Sequence, residues 1–181
     1  HIFNIGEADT LTTGSAIRVD CGSANLASTA SGGLVEILHD GASGGTANNL
    51  LFIKNDNASA TGVIGIKIQQ DANAYALDVR SKATSGASAG AKLRLHTDDT
   101  AVMASGDRLG VIEFAGAEDT SNTITVGARI EAITDATWSA SENGAYMSFY
   151  TTDGNASQSE QMRIASTGYV GIGSTPSNRF H

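Results

Sequence analysis

The sequence predicts an all-β chain that buries its apolar residues by stacking on neighbours, along the chain or between chains. Three observations predict it. A short pattern (apolar, any, apolar, any, any, Asp) recurs through the first hundred residues. The composition is small and acidic: 21 Gly, a single Pro, 6% aromatic residues and 27 alanines among the 181 residues. Leu, Ile, Val and Phe together reach only ~20%, where independent globular folding becomes thin. No segment carries a helical apolar stripe with caps, so helix is at most a minor component.

The repeats read as short strands. Val35-x-Ile37-x-x-Asp40, Leu51-x-Ile53-x-x-Asp56, Ile66-x-Ile68-x-x-Asp71 and Leu93-x-Leu95-x-x-Asp98 are full copies. Ile17-x-Val19-Asp20 and Leu77-x-Val79, the latter with Lys82 in the Asp position, are degenerate ones. First apolar positions lie 18, 16, 15, 11 and 16 residues apart, a loose period that points to a repeat architecture. Alternation places the paired aliphatics on one face of a strand and Arg18, Glu36, Lys54, Lys67 and Arg94 in water. The Asp that follows suits a turn, because its carboxylate accepts from a backbone N–H two residues on. Small-residue stretches such as Ala42–Ala47 and Thr84–Gly90 separate the units and fit flexible linkers and tightly packed bends equally well. Two aliphatics per unit are too few to stabilise a unit alone. Val35, Ile37, Leu51, Ile53, Ile66, Ile68, Leu93 and Leu95 are therefore expected to form an interior only when units stack.

From about Gly106 the strand candidates lengthen: Leu109–Phe114, Ile124–Ile133, Ala145–Tyr150 and Gln161–Ile164. Trp138, Phe114, Phe149 and Tyr150 are expected to supply a compact core, and Asp153-Gly154 to make a turn. Gly171 and Gly173 flank Ile172, which lets backbones approach closely while the Ile packs inward; a hinge is the plainer reading.

Charge and composition exclude several functions. A net charge of −8 with 11 Lys+Arg gives no electrostatic footprint for nucleic acid or anionic lipid. One cysteine, Cys21, excludes an intrachain disulfide. No apolar run approaches the ~20 residues of a membrane span, and the opening residues are not expected to act as a signal peptide. The start at His1-Ile2-Phe3, without Met, is expected of a window within a longer protein.

Candidate chemistry is sparse, and no catalytic, cofactor or metal residue is assigned. Gly41-Ala42-Ser43-Gly44-Gly45 and Gly86-Ala87-Ser88-Ala89-Gly90 match the nucleophile-elbow pattern, but it needs a strand before and a helix after. His39-Asp40 and His96-x-Asp98 read as solvated residues at turns rather than metal ligands, as do Asp98-Asp99 and Asp153-Gly154-Asn155. Glu113, Glu118, Asp119, Glu131 and Glu142 include no linear motif for a glycosidase acid pair and are expected on solvated strand faces. Trp138, Tyr146 and Tyr150 form a weak candidate for surface sugar contact, with a core role as the alternative.

The run Met162-Arg163-Ile164-x-Ser166-x-Gly168-x-Val170-Gly171-Ile172-Gly173-x-Thr175 resembles a segment of bacteriophage tail fibres and related virion appendages, in which it precedes a C-terminal intramolecular chaperone domain. Upstream, Gly106-Asp107-x-Leu109-Gly110-x-Ile112-x-Phe114, Gly127-Ala128-Arg129-Ile130-x-Ala132 and Gly144-Ala145-x-Met147-Ser148-Phe149-Tyr150 resemble the same family in the same order. Pro176 follows Thr175 directly, without the family's extra Ser.

The resemblance covers residues 106–181 and implies an elongated homotrimeric β-fibre. On that reading, residues 1–105 are a repetitive β-shaft, 106–165 a compact β module, and 166–181 an extended strand or linker toward a further C-terminal region. The implied role is a non-enzymatic structural part of a virion appendage that mediates attachment to the host surface. Implied partners are two sister chains, other tail or fibre proteins, and a host glycan or protein receptor. The alternatives are a polysaccharide-degrading tailspike and a monomeric β-solenoid adhesin.

Overall fold

The computed structural model describes Val35, Ile37 and residues 50–154 and 157–173. The chain divides into two units, 1–77 and 78–181. In the first, the described residues form bends, turns and extended segments, with no strand among them. The second begins in the same way over 78–107 and then forms a sheet.

Five strands follow one another: β1 Arg108–Ala117, β2 Ile124–Thr134, β3 Ala145–Thr151, β4 Ser159–Ile164 and β5 Val170–Ile172. They pair antiparallel in the order β1-β2-β3-β4-β5, a meander in which each strand meets its sequence neighbours. The expected strands coincide with β1 to β4 to within a few residues, and the glycine-rich ending supplies β5. The described residues are all-β with no helix.

Local chemistry sets the turns. In the β1–β2 hairpin, Asp119 Oδ1 accepts from Ser121 N at 2.8 Å and Thr123 N at 3.1 Å, while Asn122 takes φ 62°. An Asn there tolerates the left-handed conformation. Gly154, at φ 57°, lies in the β3–β4 connection where Asp153-Gly154 was expected to turn. Bulges between Phe114 and Ala115 and between Phe149 and Tyr150 shift the register of the sheet. Thr134, fully buried, ties the end of β2 to the loop before β1: its Oγ1 accepts from Asp107 N at 3.0 Å and donates to Ala104 O.

Two expectations are corrected. The strands expected at Leu51-x-Ile53, Ile66-x-Ile68, Leu77-x-Val79 and Leu93-x-Leu95 do not pair within the single chain. An extended segment becomes a strand only beside another edge, and the described residues supply none there. The expected hydrophobic core is also missing, since no described hydrophobic residue is buried. Phe114 is 56% exposed, and Trp138, Phe149 and Tyr150 are half-buried. Among the described residues the buried polar side chains are instead Glu131, Thr134 and Ser148. A single sheet with no second layer leaves its apolar face open.

The turn chemistry of the repeats holds in part. Asp98 Oδ1 accepts from Thr100 N, two residues on, at 3.2 Å. At the Asp56 copy the flanking residues do this instead: Asn57 N donates to Asn55 Oδ1 and Ser59 N to Asn57 Oδ1. Asp56 itself pairs with Lys54 at 2.8 Å. Val35, Ile37, Leu51, Ile53, Ile66, Ile68, Leu93 and Leu95 are all exposed.

Candidate functional site

The sheet register sorts the side chains of β1–β5 onto two faces with opposite chemistry. Ile130 lies opposite Ile112 and Phe149, and Phe149 opposite Met162, which in turn meets Ile172. One row on, Ala132 lies between Gly110 and Met147, with Ile164 and Val170 beyond. Directly paired residues share a face. This face therefore carries no charge in either row across all five strands. Ile112, Phe114, Met147 and Ile172 on it are 45–70% exposed. Ile172, expected to pack inward, is among the most exposed of them.

Leu95, from the segment before β1, reaches the same face. A Cβ at Gly110 would lie 2.8 Å from Leu95 Cβ, so Gly110 is where this side chain passes close to the sheet backbone. Leu95, Ile112, Ile130, Ala132 and Met147 line a shallow apolar groove of about 280 Å³.

The opposite face carries the charged residues, held in ion pairs within the sheet. Glu131 Oε2 lies 2.9 Å from Arg108 Nη2 and 3.2 Å from Arg129 Nε. Arg163 clamps Glu160 through two bonds, Nε to Oε1 at 2.8 Å and Nη2 to Oε2 at 2.7 Å. Ser148 Oγ donates to Glu160 Oε2 at 2.9 Å. The Arg163 guanidinium beside Glu160 holds its carboxyl below the usual range, and Glu160 in turn raises Arg163. Burial, then the nearby Glu131 and Glu160 charges, push the Tyr150 hydroxyl up.

Of the sugar-contact candidates, Tyr146 and Tyr150 share this polar face on β3, each with a guanidinium over its ring. Arg163 sits 4.0 Å from the Tyr146 centroid and Arg129 3.9 Å from that of Tyr150. Trp138 lies in the β2–β3 connection, its N–H donating to Met103 O at 2.9 Å and its indole Nε1 to Gly144 O at 3.0 Å. The two tyrosines are brought together; the tryptophan belongs to a separate loop.

The acids are dispersed by role. Glu131 is an ion-paired strand residue, Asp119 a turn residue, and Glu142 accepts from Gly144 N at 2.7 Å. Glu113 and Glu118 line one open cleft of about 1030 Å³ at the β1–β2 end, where Glu118 accepts from Thr125 Oγ1. Gly86–Gly90 is a turn closed by Ala89 N donating to Gly86 O, followed by no helix. Among the described residues no three His, Cys, Asp or Glu side chains group to hold a metal ion. No described helix is long and apolar enough to cross a membrane. Gly41–Gly45, Cys21, His1, His39 and His181 lie outside the described residues.

Sequence reasoning gave no role to Arg129, Glu160 and Arg163, and placed Glu131, which is buried, on a solvated face. For Arg129 and Glu131 the signal was present in the alternation Ala128-Arg129-Ile130-Glu131-Ala132, which puts two opposite charges on one face and three apolar groups on the other.

These features define a class: a one-layer antiparallel meander with an internally paired polar face and an uncovered apolar one. No family model matches the chain, and no curated protein matches it. Solved structures similar to it include the carboxy-terminal domain of the bacteriophage T5 L-shaped tail fibre, at 15% identity and TM-score 0.42. That match covers 55% of this chain and 39% of the fibre domain. The same domain with its intramolecular chaperone domain matches at 17% identity and TM-score 0.37, over 63% of this chain and 27% of the other. The chain thus spans well under half the length of either.

Proposed function

We propose that the chain is a structural segment of a phage tail fibre or similar virion appendage, working as an elongated homotrimer that helps the virion attach to its host. The observation that carries this reading is the exposure of apolar residues in both units with no described hydrophobic residue buried. Monomeric proteins rarely leave apolar surface so continuous, and such surface marks an association site. The ordered motifs of residues 106–181 supply the kind of assembly. In it the chain acts mechanically and by adhesion, without catalysis, and host contact falls to outward polar surfaces such as the one bearing Tyr146 and Tyr150.

Sedimentation equilibrium tests the assembly. Three chains of 18.5 kDa per particle are expected. A stable single chain would overturn the reading in favour of a monomeric solenoid. Attachment is tested by adding purified protein to a panel of bacterial strains: saturable surface binding without loss of capsule is expected, whereas release of reducing sugar would identify a depolymerase.

A further inference from the structure

We propose that Asn143, in the β2–β3 connection, is a site of spontaneous covalent modification. The Gly144 backbone nitrogen attacks the Asn143 side-chain amide and expels ammonia, and water then opens the ring to an aspartyl or isoaspartyl residue. The inference concerns this loop alone and is independent of the assembly proposed above.

The sequence selects the residue. Of the asparagines in the chain, only Asn143 precedes a glycine. The reaction is intramolecular, so its rate turns on how closely the next residue's nitrogen approaches the side-chain carbonyl carbon. A side chain on that residue crowds the approach, most of all a β-branched one such as Thr123 after Asn122. Gly144 has none. Asn143 is exposed. Among the described residues the hydrogen bonds of its loop run through Ser139, Ser141, Glu142 and Gly144 and do not engage its amide.

The fold keeps the glycine in place. A Cβ at position 144 would collide with Asp135 Oδ1 and lie 2.9 Å from Glu142 Oε1, so packing disfavours any side chain there. The reactive pair is thus a consequence of how the loop packs. The Gly144 N–H donates to Glu142 Oε1 at 2.7 Å. That carboxylate is within reach to take the proton as the new N–C bond forms. The bond from the side-chain carbon to its NH2 breaks, and the departing NH2 takes up the proton and leaves as ammonia.

The product acts on the entry to β3. Gly144 O accepts from Trp138 Nε1 at 3.0 Å and from Asp135 N at 3.3 Å, and Ala145 opens β3 opposite Thr134. A new carboxylate at position 143 stands beside that of Glu142 and repels it. The isoaspartyl form also routes the backbone through the former side chain, which lengthens the loop and slackens both bonds to Gly144 O.

The test incubates the full chain in warm, mildly alkaline buffer made with heavy-oxygen water and follows its peptides by mass spectrometry, with electron-transfer fragmentation to separate the two products. The peptide holding Asn143 is expected to exchange NH2 for a solvent-derived OH, in both aspartyl and isoaspartyl forms, while Asn122 stays intact. Asn143→Gln, which would need a larger ring, is expected to abolish the change while keeping the parent's Trp138 fluorescence. Glu142→Gln is expected to slow it severalfold. An Asn143 that persists while Asn122 is converted, or that yields the aspartyl form alone by direct hydrolysis, would overturn the inference. A parent rate in Glu142→Gln would overturn the role given to Glu142.

Discussion

Residues 50–105 and residues 108–172 are written in the same alternating pattern, yet only the second forms strands in the single chain. The difference lies in the distance to the next edge. From β1 onward each strand ends in a turn that folds the chain back on itself: Asp119 and Asn122, then the Ser139–Glu142 bridge, then Gly154, then Gly168 at φ 82°. Neighbouring strands therefore pair at low loop-closure cost. In the repeats the turns form as well, at Asn55–Ser59 and Asp98–Thr100, but two apolar residues per unit do not hold an edge against the next unit. Backbone pairing can be completed locally; covering the apolar faces cannot, and both regions leave theirs open.

The largest effect is expected where the sheet is self-sufficient. Glu131→Ala leaves Arg129, 22% exposed, with Gln158 but without its carboxylate partner and is expected to cost about 3 kcal/mol. Denaturant unfolding followed by Trp138 fluorescence measures it, and a midpoint near the parent's would show that the polar face does not hold the sheet.

Next comes the junction between the regions. Gly110→Val would drive a side chain into Leu95 and is expected to cost about 2 kcal/mol. Pairing it with Leu95→Ala should recover part of the loss, since the smaller residue removes the clash.

Acid should act on the sheet through Glu160. Its carboxyl is held below its ordinary value near 4.5, so its contribution is complete above that pH and fades as pH falls through the lowered value. Glu160→Gln is expected to remove this acid-dependent part of the stability curve, with a loss present at neutral pH instead.

The smallest effect is expected in the repeats. Ile66 is 62% exposed, so Ile66→Ser in chains diluted to single molecules should shift stability by less than about 0.5 kcal/mol. At concentrations where the proposed assembly forms, the same substitution should cost about 2 kcal/mol, because assembly would cover the side chain. Equal values at both concentrations would mean that the repeats stay in water.

Much of the sheet was legible. Alternation over Ile124–Ile133 and Ala145–Tyr150 locates β2 and β3, because a half-buried strand imposes a period of two on its residues. The buried polar groups were not. Glu131 reads as one more solvated strand acid, and nothing local says that Arg108, 23 residues earlier, arrives beside it. Phe114 was misjudged for a related reason: a large aromatic signals burial, but among the described residues it stays 56% exposed.

The sequence by itself determined the strand class, the turns and the two-faced pattern, since these follow from side-chain type over a few residues. Only the tertiary structure decided which edges found partners, that Glu131 and Glu160 are clasped by arginines, and that the apolar face stays bare. Those outcomes depend on how adjacent strands register on one another and on where a bulge falls, which a few residues do not specify. A one-residue slip in register would exchange the charged face for the apolar one.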